Sequence, residues 1–172
     1  MAVIKKRPTT FPTSFEELEG ELRRKYLWYT PSPIYRIAYL YGIGVTERVL
    51  TKGIHGSISV VSGFYNISIS ALLCYSISRF VLARCLAHLL LHRKIIDRLG
   101  HIDVGPFTFY LAPINIEEEA NKFALDLLVP ESTFDEFILA GTNRLSLLKE
   151  IFEVSPTVLQ LRDIHHRINY EN

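Results

Sequence analysis

An excess of charge of either sign is what this chain most plainly lacks. Lys and Arg number 19 against 18 Asp and Glu, a formal net charge of +1. No broad electrostatic footprint for nucleic acid follows, and direct nucleic-acid binding is not expected. Cysteine is scarce too. Cys74 and Cys85 are the two present, both in or near an apolar helical stretch, which argues against a disulfide framework and for a reducing compartment such as the cytoplasm. The basic cluster Lys5-Lys6-Arg7 is followed by no apolar run, so a secretory signal is not expected. An uninterrupted apolar span of membrane length is missing as well. Ala71 to Leu91 approaches a membrane span in length, but Arg79, Arg84 and His88 interrupt it, and charge at a bilayer centre is costly. A central core helix of a soluble protein is the expectation. There is no internal repeat and no low-complexity segment.

With 172 residues and 48% hydrophobic content, the chain can bury the core of a single domain. Thr13-Ser14-Phe15-Glu16-Glu17 offers overlapping capping boxes for a helix running to about Trp28, and Ser32-Pro33 opens a second that closes near Gly42. From Val45 to Ser70 the pattern alternates through V-T-E-R-V-L, G-S-I-S-V-V, a Ser62-Gly63 turn and N-I-S-I-S, which predicts a small antiparallel sheet. A long helix is expected from about Ser76 to Leu99, stopped by Gly100. Phe107 to Leu111 is expected as a short strand or ordered loop, and Asn115 as the cap of a helix ended by Pro130. Three helical pieces should follow, near Ser132–Ala140, Leu145–Phe152 and Pro156–Arg167.

The long helix carries the chemistry. Arg79 to His92 reads R-F-V-L-A-R-C-L-A-H-L-L-L-H. A zinc-peptidase helix reads H-E-x-x-H, two histidines one turn apart with a glutamate that activates the metal-bound water. Here the five positions are Arg84, Cys85, Leu86, Ala87 and His88. Together with Glu119-Ala120-Asn121-Lys122-Phe123-Ala124 and Leu127-Leu128-Val129-Pro130, with Ser32 to Val45 ending in G-I-G-V, with Gly56 to Ser70 and with the tail F-E-V-S-P-T-V-L-Q-L-R, this stretch resembles the ImmA/IrrE family of zinc metallopeptidase-like proteins. That family carries R-F-T-L-A-H-E-L-G-H-L-L-L-H and E-A-N-x-F-A-x-x-L-L-x-P. The resemblance implies an α+β fold with a zincin-like core, a small sheet packed on the motif helix and the E-A-N helix. It divides one domain over residues 1–172 into an N-terminal extension with a helix (1–30), a metallopeptidase-like core (31–130) and a helical C-terminal portion (131–172).

The resemblance also implies a former metal site at Arg84, His88 and Glu119. Arg84 and His88 share a helix face, but a guanidinium has no lone pair to donate and brings a fixed positive charge. Two outcomes stand for Arg84: it fills the metal's volume and pairs with Glu119, or it reaches the surface through the cleft. Cys85 holds the degenerate base position, where a neutral thiol cannot replace a carboxylate, so no catalytic residue, metal or cofactor is expected. His88, His92 and Glu119 form the alternative set for zinc, in a shifted register.

Family members are coded by phages, integrative elements and stress regulons and act on helix-turn-helix repressors. The implied function is therefore a cytoplasmic pseudo-peptidase that binds a protein partner in transcription regulation, such as a helix-turn-helix repressor. An active zinc metalloendopeptidase with a shifted ligand set and a stand-alone structural module are the alternatives. The stretch before residue 31 is too short for a complete helix-turn-helix domain, so a repressor would be a separate chain. The Leu145–Arg167 segment has a helix-turn-helix outline, but with so little net charge it is expected to cover the core.

Overall fold

The computed structural model describes residues 11–106, 116–142 and 144–170, with side chains as far as residue 164. Helix α1, Phe15–Arg24, starts as its capping box predicts. The Ser14 hydroxyl accepts the Glu17 N–H, and the Glu17 carboxylate accepts the Thr13 N–H at 2.8 Å. It ends four residues short of the expectation because Lys25 and Tyr26 form a Schellman cap: Leu27 N–H bonds Leu22 O and Tyr26 N–H bonds Arg23 O, with Tyr26 at φ 55°. Helix α2 spans Ile34–Leu40.

Three strands follow, β1 (Gly44–Arg48), β2 (Gly56–Val61) and β3 (Phe64–Ser70). Ser62 and Gly63, at φ 51° and 76°, supply the two left-handed residues that a tight β2–β3 hairpin requires. The sheet is not wholly antiparallel. Its order is β1-β3-β2-β4, with β1 parallel to β3 and β2 antiparallel to both neighbours. Because β2 occupies one edge of β3, β1 takes the other, and the chain crosses β3 on its way to β2. Alternation reveals a strand's faces but not its direction, so this could not be seen in the pattern. The fourth strand, β4 (His101–Val104), was not expected. Its alternation, Ile102 and Val104 between Gly100 and Gly105, is only four residues long. The segment Phe107 to Leu111 and the Asn115 cap lie outside the described residues.

The long helix is two helices. α3, Tyr75–Leu91, stops at His92 (φ −117°, ψ 21°), and α4, Arg93–Leu99, continues to Gly100, which takes the left-handed φ of 74° expected of a stop. No Gly or Pro marks the break. All residues of α3 from Ser78 to Leu90 are buried, so the helix has no solvent face and lies between the sheet and α5, Ile116–Leu128, on which it packs most extensively. α6 (Glu131–Leu139), α7 (Leu145–Phe152) and α8 (Pro156–Tyr170) complete the described helices, and α7 and α8 cover the core as a helical pair. No helix among the described residues is long and apolar enough to cross a membrane.

Two buried arginines hold α3 and α5 to the C-terminal helices. Arg79, 3% exposed, donates to Ser32 O before α2 (2.9 Å) and to Glu153 O at the end of α7 (3.1 Å). Arg162 on α8 meets Asp126 on α5 at 2.7 Å. These contacts satisfy charges that would otherwise be costly to bury.

Helix and sheet approach closely at Gly56. A Cβ there would fall 2.7 Å from Val81 Cγ1 and 2.9 Å from Cys85 Sγ. Gly56→Ala should therefore destabilise the fold by about 1–3 kcal/mol through overpacking, read as a lowered denaturant midpoint. Val81→Ala should cost less in the Gly56→Ala background than in wild type, since it removes the nearest clash. Additive losses would mean that the sheet yields instead.

Candidate functional site

The site lies where α3 and the end of β4 face the first turn of α5. Arg84 is 3% exposed, so of its two expected fates burial is the one observed. One Nη donates to Gly105 O at 2.9 Å and the other to Glu117 Oε2 at 2.7 Å, while Nε has no hydrogen-bond partner among the described residues. The guanidinium thus bridges three elements. The pairing differs from the sequence expectation: the carboxylate that meets Arg84 is Glu117, not Glu119. The reason is helical phase. Two residues on a helix are about 200° apart, so only one of the two can face α3 at Arg84, and Glu119 is turned toward His92 instead.

His88, fully buried, presents Nε2 to Glu117 Oε1 at 3.4 Å, within ion-pair distance but off hydrogen-bond geometry. Its Nδ1 lies 3.2 Å from Nδ1 of His92, and His92 Nε2 lies 2.8 Å from Glu119 Oε2. The result is a chain, Glu117–His88–His92–Glu119. With His92 donating to Glu119 through Nε2, His92 Nδ1 accepts the proton on His88 Nδ1. His88, His92 and Glu119 are neighbours, as the alternative ligand set requires, but the two histidines turn Nδ1 toward each other. Among the described residues no group of three or more His, Cys, Asp or Glu is arranged to hold a metal ion.

The electrostatics are those of a compensated cluster. Contact with His88 first, and the charges of His88 and Arg84 after it, hold the Glu117 carboxyl down at about 2 against the opposing effect of burial. Cys85, fully buried, lies against Gly56 on β2. Burial pushes its thiol up to about 12 in spite of Arg84 beside it, so it is neither a base nor a ready nucleophile. His55, at the start of β2, is pushed down by burial first and by Arg84 second. With Phe80, Val81 and Val158 it lines a cavity of about 190 Å³. Sequence reasoning missed Glu117 and His55. A carboxylate in the first turn of a helix is already accounted for by the helix dipole, and nothing local marks His55.

Glu117 yields a test. Its carboxyl is depressed in the folded state, so its stabilisation is complete above the ordinary value of 4.5 and is lost as pH falls toward about 2. Stability of the wild type should decline across that window, and Glu117→Gln should flatten the decline. Glu117→Gln and Arg84→Met should each cost about 1–3 kcal/mol by denaturant unfolding, less than for a fully buried pair because the Glu117 side chain is 42% exposed. Together they should cost less than their sum. Arg84→Met coupled to Glu119→Gln rather than to Glu117→Gln would refute the pairing.

Comparison with known proteins agrees with this architecture. A family model, Peptidase M78, described as the IrrE N-terminal-like domain, matches residues 41–162. No curated protein matches the chain. The matched region takes in the whole sheet, the motif helix, α5, α7 and the first turns of α8, well over half of the sequence, and the chain belongs to the IrrE N-terminal-like family of metallopeptidase-like proteins.

Proposed function

We propose that this protein is a non-catalytic member of its family, a pseudo-peptidase that acts by binding a regulator in the cytoplasm. One observation carries the reading. The guanidinium of Arg84 stands where the motif places a metal-binding histidine, buried and hydrogen-bonded to Glu117 and Gly105 O. The residues present do not fit zinc. A cation occupies one donor position, repels a divalent ion and engages Glu117, the carboxylate nearest His88. The base position supports the same reading, because Cys85 is a high-pKa thiol turned into the core. No hydrolytic step is derived for this site. A helix-turn-helix repressor is the partner suggested by what the family acts on, and it would be bound rather than cleaved.

Zinc retention as an active endopeptidase through His88, His92 and Glu119 is the competing reading, favoured by the 3.2 Å and 2.8 Å contacts that bring those side chains together. Metal analysis separates the two. Wild-type protein dialysed against a mild chelator should hold well under one equivalent of zinc, and a full equivalent would overturn the proposal. Arg84→His with Cys85→Glu should restore zinc uptake. In that background Glu117→Ala should abolish uptake, and Glu119→Ala should affect it less, because Glu117 is the carboxylate that faces Arg84 and His88. The reverse ranking would return the ligand role to Glu119, as the family motif implies.

A further inference from the structure

The Schellman cap of α1 ends in an oddity. Its left-handed position, where glycine avoids a Cβ clash, is held by Tyr26 at φ 55°. The ring contributes nothing to packing, since Tyr26 is 90% exposed. A backbone conformation unfavourable for tyrosine is thus kept while the side chain stands in water, which is the pattern of a residue retained for something other than folding.

The next residue, Leu27, is one wall of a surface cavity of about 530 Å³ whose other walls are Tyr35, Arg36, Tyr39 and Leu40 of α2. Tyr39 is 73% exposed, and Arg36 is exposed beside it. Among the described residues no ion pair engages Arg36, Arg24 or Lys25. The acids nearest in sequence are committed elsewhere: Glu19 pairs with Arg23, and Glu21 accepts the Tyr41 hydroxyl. Two acids do act on this region: Glu47, whose charge is felt at Tyr35, and Glu17, which interacts with Arg24. The face therefore combines the exposed Tyr39, the unpaired Arg36 and a hollow walled by two leucines, with the exposed Lys25 and Tyr26 on the segment that leads into it. Tyrosine and arginine are the side chains that dominate protein interfaces.

We infer that the face formed by the end of α1 and by α2 is a docking surface for an acidic segment of a protein partner, which seats an apolar side chain between Leu27 and Leu40 and sets its carboxylates against Arg36 and Lys25. Charge complementarity names the partner's sign. The aliphatic floor names a protein side chain rather than a stacked base, and the net charge of +1 agrees. The surface is not the Arg84 site, and the inference holds whether or not that site takes metal.

The test uses the full chain and a dye-labelled short peptide with a central leucine flanked by aspartate and glutamate, read by fluorescence anisotropy. Saturable binding that weakens with salt is expected, with Tyr39→Ala and Arg36→Glu each losing roughly tenfold or more in affinity. Tyr26→Gly is the decisive variant. It should weaken binding while leaving the thermal midpoint unchanged or raised, because glycine relieves the left-handed strain. Arg84→His should leave peptide affinity unchanged, which separates this face from the cleft. Absence of binding, equal binding of a lysine-flanked peptide, or preference for an oligothymidylate over the acidic peptide would overturn the inference. So would loss of stability in Tyr26→Gly.

Discussion

A positive charge in the middle of a helix with no solvent face is the constraint around which this molecule is arranged. From Ser78 to Leu90 every residue of α3 is buried, so Arg84 cannot reach water along its own helix and must find its partners inside. It finds a backbone carbonyl at the end of β4 and a carboxylate at the start of α5. Those two contacts join the end of the edge strand to the first turn of α5. They also place His88 beside Glu117, which in turn leaves His92 to Glu119. A neutral residue at position 84 would remove the organising demand from the whole cluster.

Arg79 and Arg162 meet the same problem in the same way, by pairing a buried guanidinium with acceptors from a distant part of the chain. Arginine suits this task because its planar fork offers several donors at fixed angles and its charge is weakly hydrated for a cation. Each such contact joins elements far apart in sequence: Arg79 ties α3 to the turns before α2 and after α7, and Arg162 ties α8 to α5. An isolated buried ion pair adds little net stability against a well-packed apolar alternative. Its effect here is to select one arrangement of helices, since another packing would leave a guanidinium without acceptors.

How much of this could be seen in the residues depended on the range of the interaction. Local signals were reliable. The Ser14 capping box, the Ser62-Gly63 turn and the Gly100 stop each act within a few residues and are found where the pattern places them. The family motif placed α3 and α5 side by side, as the fold has them. Signals that depend on tertiary partners were not legible. The parallel pairing of β1 with β3 is decided by which edge β2 leaves open. The break at His92 has no Gly or Pro to announce it, and His92 is also the residue whose ring is drawn to His88 and Glu119. The choice between Glu117 and Glu119 depends on the rotation of α5, which no run of three glutamates reveals.

A guanidinium and a metal ion hold a site together by different kinds of bond. Zinc binds its nitrogen and oxygen ligands at about 2 Å in a tetrahedron and, in a catalytic site, keeps one position open for water. A guanidinium reaches its acceptors through hydrogen bonds of 2.7 and 2.9 Å here, directed by its plane, and it has no open coordination position to offer. The site can therefore stay closed and compensated in charge without metal, with Glu117 bearing on both Arg84 and His88. Polarising a carbonyl or acidifying a water needs a Lewis acid and not merely a positive charge. On the pseudo-peptidase reading proposed above, recognition falls to the surfaces of the fold. Since the cluster already satisfies its own charges, a partner gains little by pressing on it, and binding energy has to come from faces whose cations and aromatic rings are not yet engaged.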